Sequence, residues 1–245
     1  MFDRTCCDQA FRDEDSRNSR LEVFENEKPI QKDKLNNQVY DRLCTLLREG
    51  EFTPGEPVRV SQIAEAFGVS AMPVREALTR LAAVGVMANV SGRSVGVPMM
   101  TREELSDLRD VRLEIETKAV EWAVKNQTSE FVNELEIMMA DLLKAEKARD
   151  VRGFIKNNYA FHFRLYQQAN SPVLMDIINT LWLRVSPHLY HADQRSRHRI
   201  SNDNHKLIID AVRGRDVETA QKALIADVTG SYDDLVLALF SATSA

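Results

Sequence analysis

Apolar residues recur at helical spacing from Leu35 onward, through Val39, Leu43, Leu46 and Leu47, and predict a helix that Gly50 ends. The FTPGEPV run that follows is a turn, because its prolines cannot continue a helix. A short helix comes next, with Ser61 as the expected N-cap and Ile63, Ala64 and Phe67 on its inner side. Gly68 separates it from a second helical pattern, at a point where positive φ costs little. Ser70 is the expected cap of that second helix. Its first turn tolerates Pro73, and Val74, Ala77, Leu78 and Leu81 form the buried stripe. After Gly85, two short alternating runs flank Ser91-Gly92-Arg93 and read as a hairpin.

From Thr101 the pattern is helical throughout. Thr101 with Glu104 three residues on makes a capping box. Six segments follow, at about 102–125, 129–148, 151–169, 172–191, 197–213 and 216–239. No strand pattern interrupts them, so a bundle is expected, whose core widens readily into a ligand cavity between helices. Residues 1–33 are polar and highly charged, and read as a loose arm.

The helix, turn, helix and hairpin order is that of a winged helix-turn-helix, which places its second helix in a DNA major groove. The expected fold class is therefore an N-terminal winged helix-turn-helix (α+β) joined to an all-α bundle. The expected division is an arm at 1–33, a DNA-reading domain at 34–100 and a sensing and dimerisation domain at 101–240. A chain of 245 residues, 44% hydrophobic and 28% charged, has room for both folded parts. The net charge of -5 does not exclude nucleic acid, since the local field at the contact surface decides binding. Three cysteines give no disulfide framework: Cys6 and Cys7 lie in the arm, and Cys44 reads as a small core residue. No apolar run reaches the roughly 18 residues of a spanning helix and no signal-peptide pattern opens the chain, so a cytoplasmic protein without a membrane partner is expected.

Within the reading helix, Ser70, Ala71, Met72, Arg75 and Thr79 occupy the exposed side. Arg75 is the strongest candidate, because a guanidinium can clamp a guanine edge or a phosphate; a salt bridge to Glu76 or Glu49 is the competing role. Ala71 and Met72 suit contact with a thymine methyl. Gly92 permits the tight turn that would bring Arg93 to the groove or backbone, and Arg59 and Ser61 flank the first helix of the motif.

The PGEPV turn, then SQIAEAFGVSAMPVREALTRLAAVGV and a glycine-bearing wing, resemble the N-terminal domain of the GntR transcription regulators. The helical remainder resembles the ligand-sensing FCD domain of their FadR-like branch, so the likeness spans about residues 35 to 240. It implies a homodimer on a short palindromic operator, with a small organic or sugar acid altering DNA binding and repression as the family habit. Arg75 matches the arginine of the family's VREAL motif, and Gly92 lies in the wing. The family commonly has arginine where this chain has Ser61 and Ala71, which implies a different operator preference, with Arg59 placed to compensate.

Five histidines stand in the second half: His162, His188, His191, His198 and His205. Asn158 and His162 are four apart and share a helix face, His205 lies on the penultimate helix, and Asp227 on the last. Two imidazoles and a carboxylate suit a divalent metal, zinc or nickel foremost, although buried histidines bonded only to protein have the same spacing. The resemblance strengthens the metal reading. Many FCD domains ligate a metal through an Asp and a His four apart and two further His, which correspond to Asn158, His162, His205 and Asp227. Two of the four residue types differ here, with the acid moved across the cavity. His188 and His191 form a weaker candidate pair.

An effector bearing a carboxylate is the natural partner of such a site. Arg112 and Arg184 are candidates to pair with it, or to form structural ion pairs, and Tyr159, Asn179 and Trp182 to shape its cavity. Two other functions compete: a metal-dependent hydrolase using His162, His205 and Asp227, and an effector-blind dimeric DNA-binding protein.

Overall fold

The computed structural model describes residues 33–92, 94–193 and 202–240. The arm with Cys6 and Cys7, the wing residue Arg93, and His198 lie outside the described residues. The reading half begins with α1 (Asp33–Arg48), which buries Val39, Leu43, Cys44 and Leu47. Its successor α2 (Val60–Phe67) starts earlier than the serine pattern suggests. Arg59, in extended conformation, is the N-cap, and its carbonyl accepts from the N–H of Gln62 at 3.0 Å and of Ile63 at 3.3 Å. Ser61 therefore sits exposed inside the first turn rather than capping it. Gly68 closes α2 with φ of 63°, a left-handed position that suits a residue without Cβ.

Ser70 bounds α3 (Ala71–Ala83), and Pro73, Val74, Ala77, Leu78 and Leu81 are the residues that α3 buries. The wing is an antiparallel pair, β1 (Ala88–Ser91) and β2 (Ser94–Gly96), in register at Ala88↔Gly96 and Asn89↔Val95. The connector before α2 lies along β2, donating from Val58 N–H to Val95 O and from Gly55 N–H to Val97 O, both at 2.8 Å. The wing is thereby tied to the same core as the helices.

The second half is a bundle of α4 (Arg102–Lys125), α5 (Ser129–Ala148), α6 (Val151–Gln167), α7 (Pro172–Asp193), α8 (Asp203–Arg213) and α9 (Val217–Phe240). The expected capping box opens α4: Glu104 N–H donates to Thr101 Oγ1 at 3.2 Å, and Thr101 N–H to Glu104 Oε2 at 2.8 Å. Thr128 and Asp150 cap α5 and α6 with one side-chain bond each, accepting from Phe131 N–H and Gly153 N–H. The bundle core runs from Phe131 and Leu135 of α5 through Phe161 and Tyr166 of α6 to Ile208 of α8 and Leu224 of α9. Among the described residues, no helix is long and apolar enough to cross a membrane.

One helix belongs to both halves. Trp182 of α7 packs in the bundle core, whereas its neighbour Leu183 packs in the core of the reading half. Lower on α7, the Tyr190 ring lies against Gly50, whose φ of 73° and lack of a Cβ allow the approach. His188 is fully buried, with Nε2 3.1 Å from the carbonyl of Pro98 in the linker and Nδ1 3.1 Å from Arg184 O. Arg152 of α6 adds an exposed link to Glu49 O and Glu51 Oε1.

Candidate DNA interface and metal centre

Burial of Val74, Ala77, Leu78 and Leu81 turns the opposite side of α3 outward. Ser70, Ala71, Met72, Arg75 and Thr79 are all exposed, as are Arg59, Ser61 and Gly92 nearby in the motif. Met72 is 63% accessible, more than a core-forming methionine would be. Arg75 has no ion pair among the described residues, because Glu76 is engaged by the Asn36 amide. Arg80, one turn on, is held instead by Asn37 at 2.9 Å and by the face of Tyr40 at 3.9 Å. Thr79 donates its hydroxyl to Arg75 O at 2.9 Å. The Ser70 side chain makes no capping bond, so the first N–H groups of α3 stay open toward solvent, where a phosphate is favoured.

Inside the bundle, α6 brings Asn158 and His162 onto one face, α8 supplies His205 and α9 supplies Asp227. Ligand atoms of His162, His205 and Asp227 all lie within 4.8 Å of one another. His162 Nε2 is 3.1 Å from Asp227 Oδ2, and His205 Nε2 is 2.8 Å from Asn158 Oδ1 and 3.9 Å from Asp227 Oδ1. Edge-on contact with Phe161 holds the His205 ring. The four positions singled out in the sequence therefore meet at one point.

A chain of hydrogen bonds orients the His162 ring. Tyr166 has a single hydroxyl proton and donates it to Glu116 Oε2 at 2.6 Å. Its 3.2 Å contact with His162 Nδ1 is then made by Nδ1–H donating to the phenol oxygen. Nε2 faces the Asp227 carboxylate, and in the neutral imidazole it offers a lone pair there. Two imidazoles and a carboxylate with ligand atoms this close together form a donor set that fits a divalent metal ion on chemical grounds. His205 Nδ1 has no hydrogen-bond partner among the described residues. Burial pushes the His205 pKa down to about 4, against the opposing pull of Asp227 and with a further contribution from His162. Burial would raise the Asp227 pKa, but His205 and His162 outweigh it and the carboxylate titrates below its ordinary range. The neutral imidazole and charged carboxylate are the forms that ligate metal.

Behind the cluster, Glu116 is fully buried and receives Arg112 Nε at 2.7 Å and its second guanidinium contact at 3.3 Å. Burial opposes the Arg112 charge, and Glu116 more than offsets that, so its pKa is raised. The guanidinium also lies 4.6 Å from the Trp182 ring centre. Arg112 is thus committed to a protein carboxylate. The helix pattern alone does not single out Tyr166, although the i, i+4, i+8 stripe of Asn158, His162 and Tyr166 carries the signal.

The other effector candidates lie elsewhere. Tyr159 stacks on Phe163 at 4.0 Å and faces Arg48 of the reading half. Asn179 donates to Met175 O at 2.9 Å within its own helix, and Arg184 approaches Gly85 at the end of α3. None of them lines the cavity of about 420 Å³ that opens over the cluster. Its lining comprises Phe154 and Asn158 of α6, Asp203 and Asn204 of α8, and a face of α9 that includes Asp227, Gly230, Ser231 and Asp234.

Comparison with known proteins agrees with both halves. Residues 35–97 match the family of bacterial regulatory proteins named gntR, and residues 107–229 match the FCD domain. The chain is 31% identical over 193 residues to the HTH-type transcriptional regulator McbR of Escherichia coli K12, covering 78% of this chain and 87% of that protein. The solved structure of E. coli McbR/YncC superposes with a TM-score of 0.76 at 29% identity, covering 82% of this chain and 97% of that one. Two repressors are more distant. NanR of Enterobacter sp. strain 638 is 27% identical, covering 80% of this chain and 84% of its own length. The gluconate operon repressor of Bacillus licheniformis is 26% identical, covering 77% and 81%. These relatives are regulators of transcription rather than hydrolases. The chain belongs to the GntR family, FadR-like branch, as a DNA-binding transcription regulator with an FCD domain.

Proposed function

We propose that this regulator is a homodimeric repressor that releases its operator when a small carboxylate-bearing effector binds at a divalent metal. In this reading residues 34–100 read DNA and residues 101–240 sense and dimerise. The observation that carries it is the meeting of the buried His162 and His205 with Asp227, with His162 Nε2 3.1 Å from the carboxylate. Asn158, His162, His205 and Asp227 would hold zinc or nickel, and the ion would supply an electrophilic point for the effector's carboxylate. The repressor names of NanR and the gluconate regulator, at similar coverage, favour repression over activation. On the DNA side, Arg75 reads base or phosphate, Met72 and Ala71 pack on thymine methyls, and Ser70, Thr79, Arg59, Ser61, Gly92 and Arg93 position the motif on the backbone.

The test couples two measurements on the full-length protein. Duplexes selected from a random pool by the wild type serve as anisotropy probes. Arg75→Ala should weaken binding by about 1–3 kcal/mol per half-site. Elemental analysis after zinc loading and dialysis should find one ion per chain, lost in His162→Ala and His205→Ala. Unchanged DNA affinity in Arg75→Ala would overturn the reading of α3. Zinc at a small fraction of an ion per chain would overturn the metal centre.

A further inference from the structure

We propose that residues 21–27 of the chain itself dock in a groove beside the reading helix and compete there with DNA. The groove has a volume of about 260 Å³ and lies between α1 and the end of α2. Leu35, Gln38, Val39 and Arg42, at i, i+3, i+4 and i+7, form its α1 side, and Phe67 and Val69 form the other. Between the last two, Gly68 is exposed and a Cβ built on it meets nothing within 4 Å, so the rim is open there. Leu35 is 48% accessible although it stands one turn from the buried Val39. Arg42 is exposed too, and has no ion pair among the described residues.

The LEVFENE run at 21–27 matches this groove in chemistry and in tether length. Leu21, Val23 and Phe24 put three apolar side chains within four positions, and Glu22, Glu25 and Glu27 surround them with no cation in the run. The apolar side chains suit Leu35, Val39, Phe67 and Val69, and the glutamates suit Arg42. Full burial of one such apolar side chain is worth about 1.5–3 kcal/mol. Residues 25–32 join Phe24 to the start of α1 at Asp33, and a tether of that length spans up to about 26 Å. Leu35 lies in the first turn of α1, well inside that reach. A short tether holds the run at an effective concentration on the order of millimolar, so weak docking suffices to fill the groove. The consequence for DNA follows from what adjoins it. Val69 lines the groove and the next residue, Ser70, opens α3, whose first N–H groups favour a phosphate. Three carboxylates docked beside that point repel the DNA backbone, and salt screens the repulsion.

Hydrogen exchange and operator binding of the full-length protein test this together. In Leu21→Ser/Val23→Ser/Phe24→Ser, the amides of residues 35–42 and 67–69 should exchange at least about threefold faster than in wild type. The same variant should bind the selected duplexes about threefold to tenfold more tightly at about 50 mM salt, and that gain should shrink below about twofold at about 300 mM. Leu35→Ser alters the groove and leaves residues 21–27 intact. It should raise exchange at 67–69 and tighten DNA binding in the same way, with the melting temperature kept. Equal exchange in wild type and the triple variant would overturn the proposal, as would operator affinity within about twofold of wild type at the lower salt. Groove protection that rises with protein concentration would assign the site to a second copy of the chain and overturn it equally.

Discussion

Glu116→Ala is the sharpest perturbation of the bundle interior. It removes the acceptor of three hydrogen bonds, two from Arg112 at 2.7 and 3.3 Å and one from Tyr166 at 2.6 Å. Arg112 is only 7% exposed and keeps its charge, so an unpaired guanidinium is left in the interior. Breaking a buried pair from one side costs about 3–5 kcal/mol. The orphaned phenol adds about 1–2 kcal/mol. For a chain of this size each kcal/mol lowers the melting temperature by roughly 2–4 °C, so the loss is on the order of 10–20 °C by circular dichroism. The same change releases the Tyr166 hydroxyl that holds the His162 ring, and zinc affinity measured against a competing chelator should fall about 10–100-fold. Arg112→Met/Glu116→Leu is the control. Replacing both charges by apolar groups leaves only the Tyr166 hydroxyl short of an acceptor, so the double variant should melt above Glu116→Ala. A double variant that melts at or below Glu116→Ala would refute the unpaired-charge argument, and so would Glu116→Ala melting within 3 °C of wild type.

Acid should weaken the metal-free protein through His205. Its folded pKa is about 4, below the unfolded value near 6.5, so the stability it contributes is whole above pH 6.5 and drains away as pH falls toward 4. The shift corresponds to about 3 kcal/mol, and Asp227, also depressed, adds a loss in the same direction at still lower pH. Melting curves from pH 7 to 4.5 in a chelator should show this slope, and His205→Gln should flatten it; an equal slope in the variant would remove His205 as its source. Gly50→Ala places a Cβ in the left-handed region and into the Tyr190 ring. It should cost about 2–4 kcal/mol by denaturant titration. Adding Tyr190→Ala should relieve only the steric share, and a neutral Gly50→Ala would show that α7 is not seated on that turn.

Periodicity and caps made most of the elements legible. The stripe Val74, Ala77, Leu78 and Leu81 located α3 and its outward face, and Thr101 with Glu104 fixed the start of α4. The start of α2 was misplaced because a serine invites a capping role, whereas the backbone carbonyl of Arg59 already begins the helix. The site was only partly legible. Spacing joins Asn158 to His162 within one helix, but α8 and α9 reach them through packing, and the family resemblance supplied His205 and Asp227. Arginines posed the opposite problem. A sequence shows the charge of Arg112 and Arg184 but not that Glu116 claims the first while the second lies near Gly85 with its Nε buried and without a hydrogen-bond partner among the described residues. The acidic cavity wall was hidden because α9 has apolar residues on nearly every side, so no stripe told which of its aspartates face inward.

The consecutive placement of Trp182 and Leu183 joins the neighbourhood of the His/Asp cluster to the core of the N-terminal half. The Trp182 ring centre stands 5.8 Å from that of His162, while Leu183 is embedded in the core of the winged helix-turn-helix. A substitution that repacks Trp182 beside His162 acts on the same turn of backbone that carries Leu183, so a change at the His/Asp cluster reaches the N-terminal core without passing through the linker. Asp233 and Asp234 of α9 line the cavity and belong to neither core, so they stand apart from that shared helix.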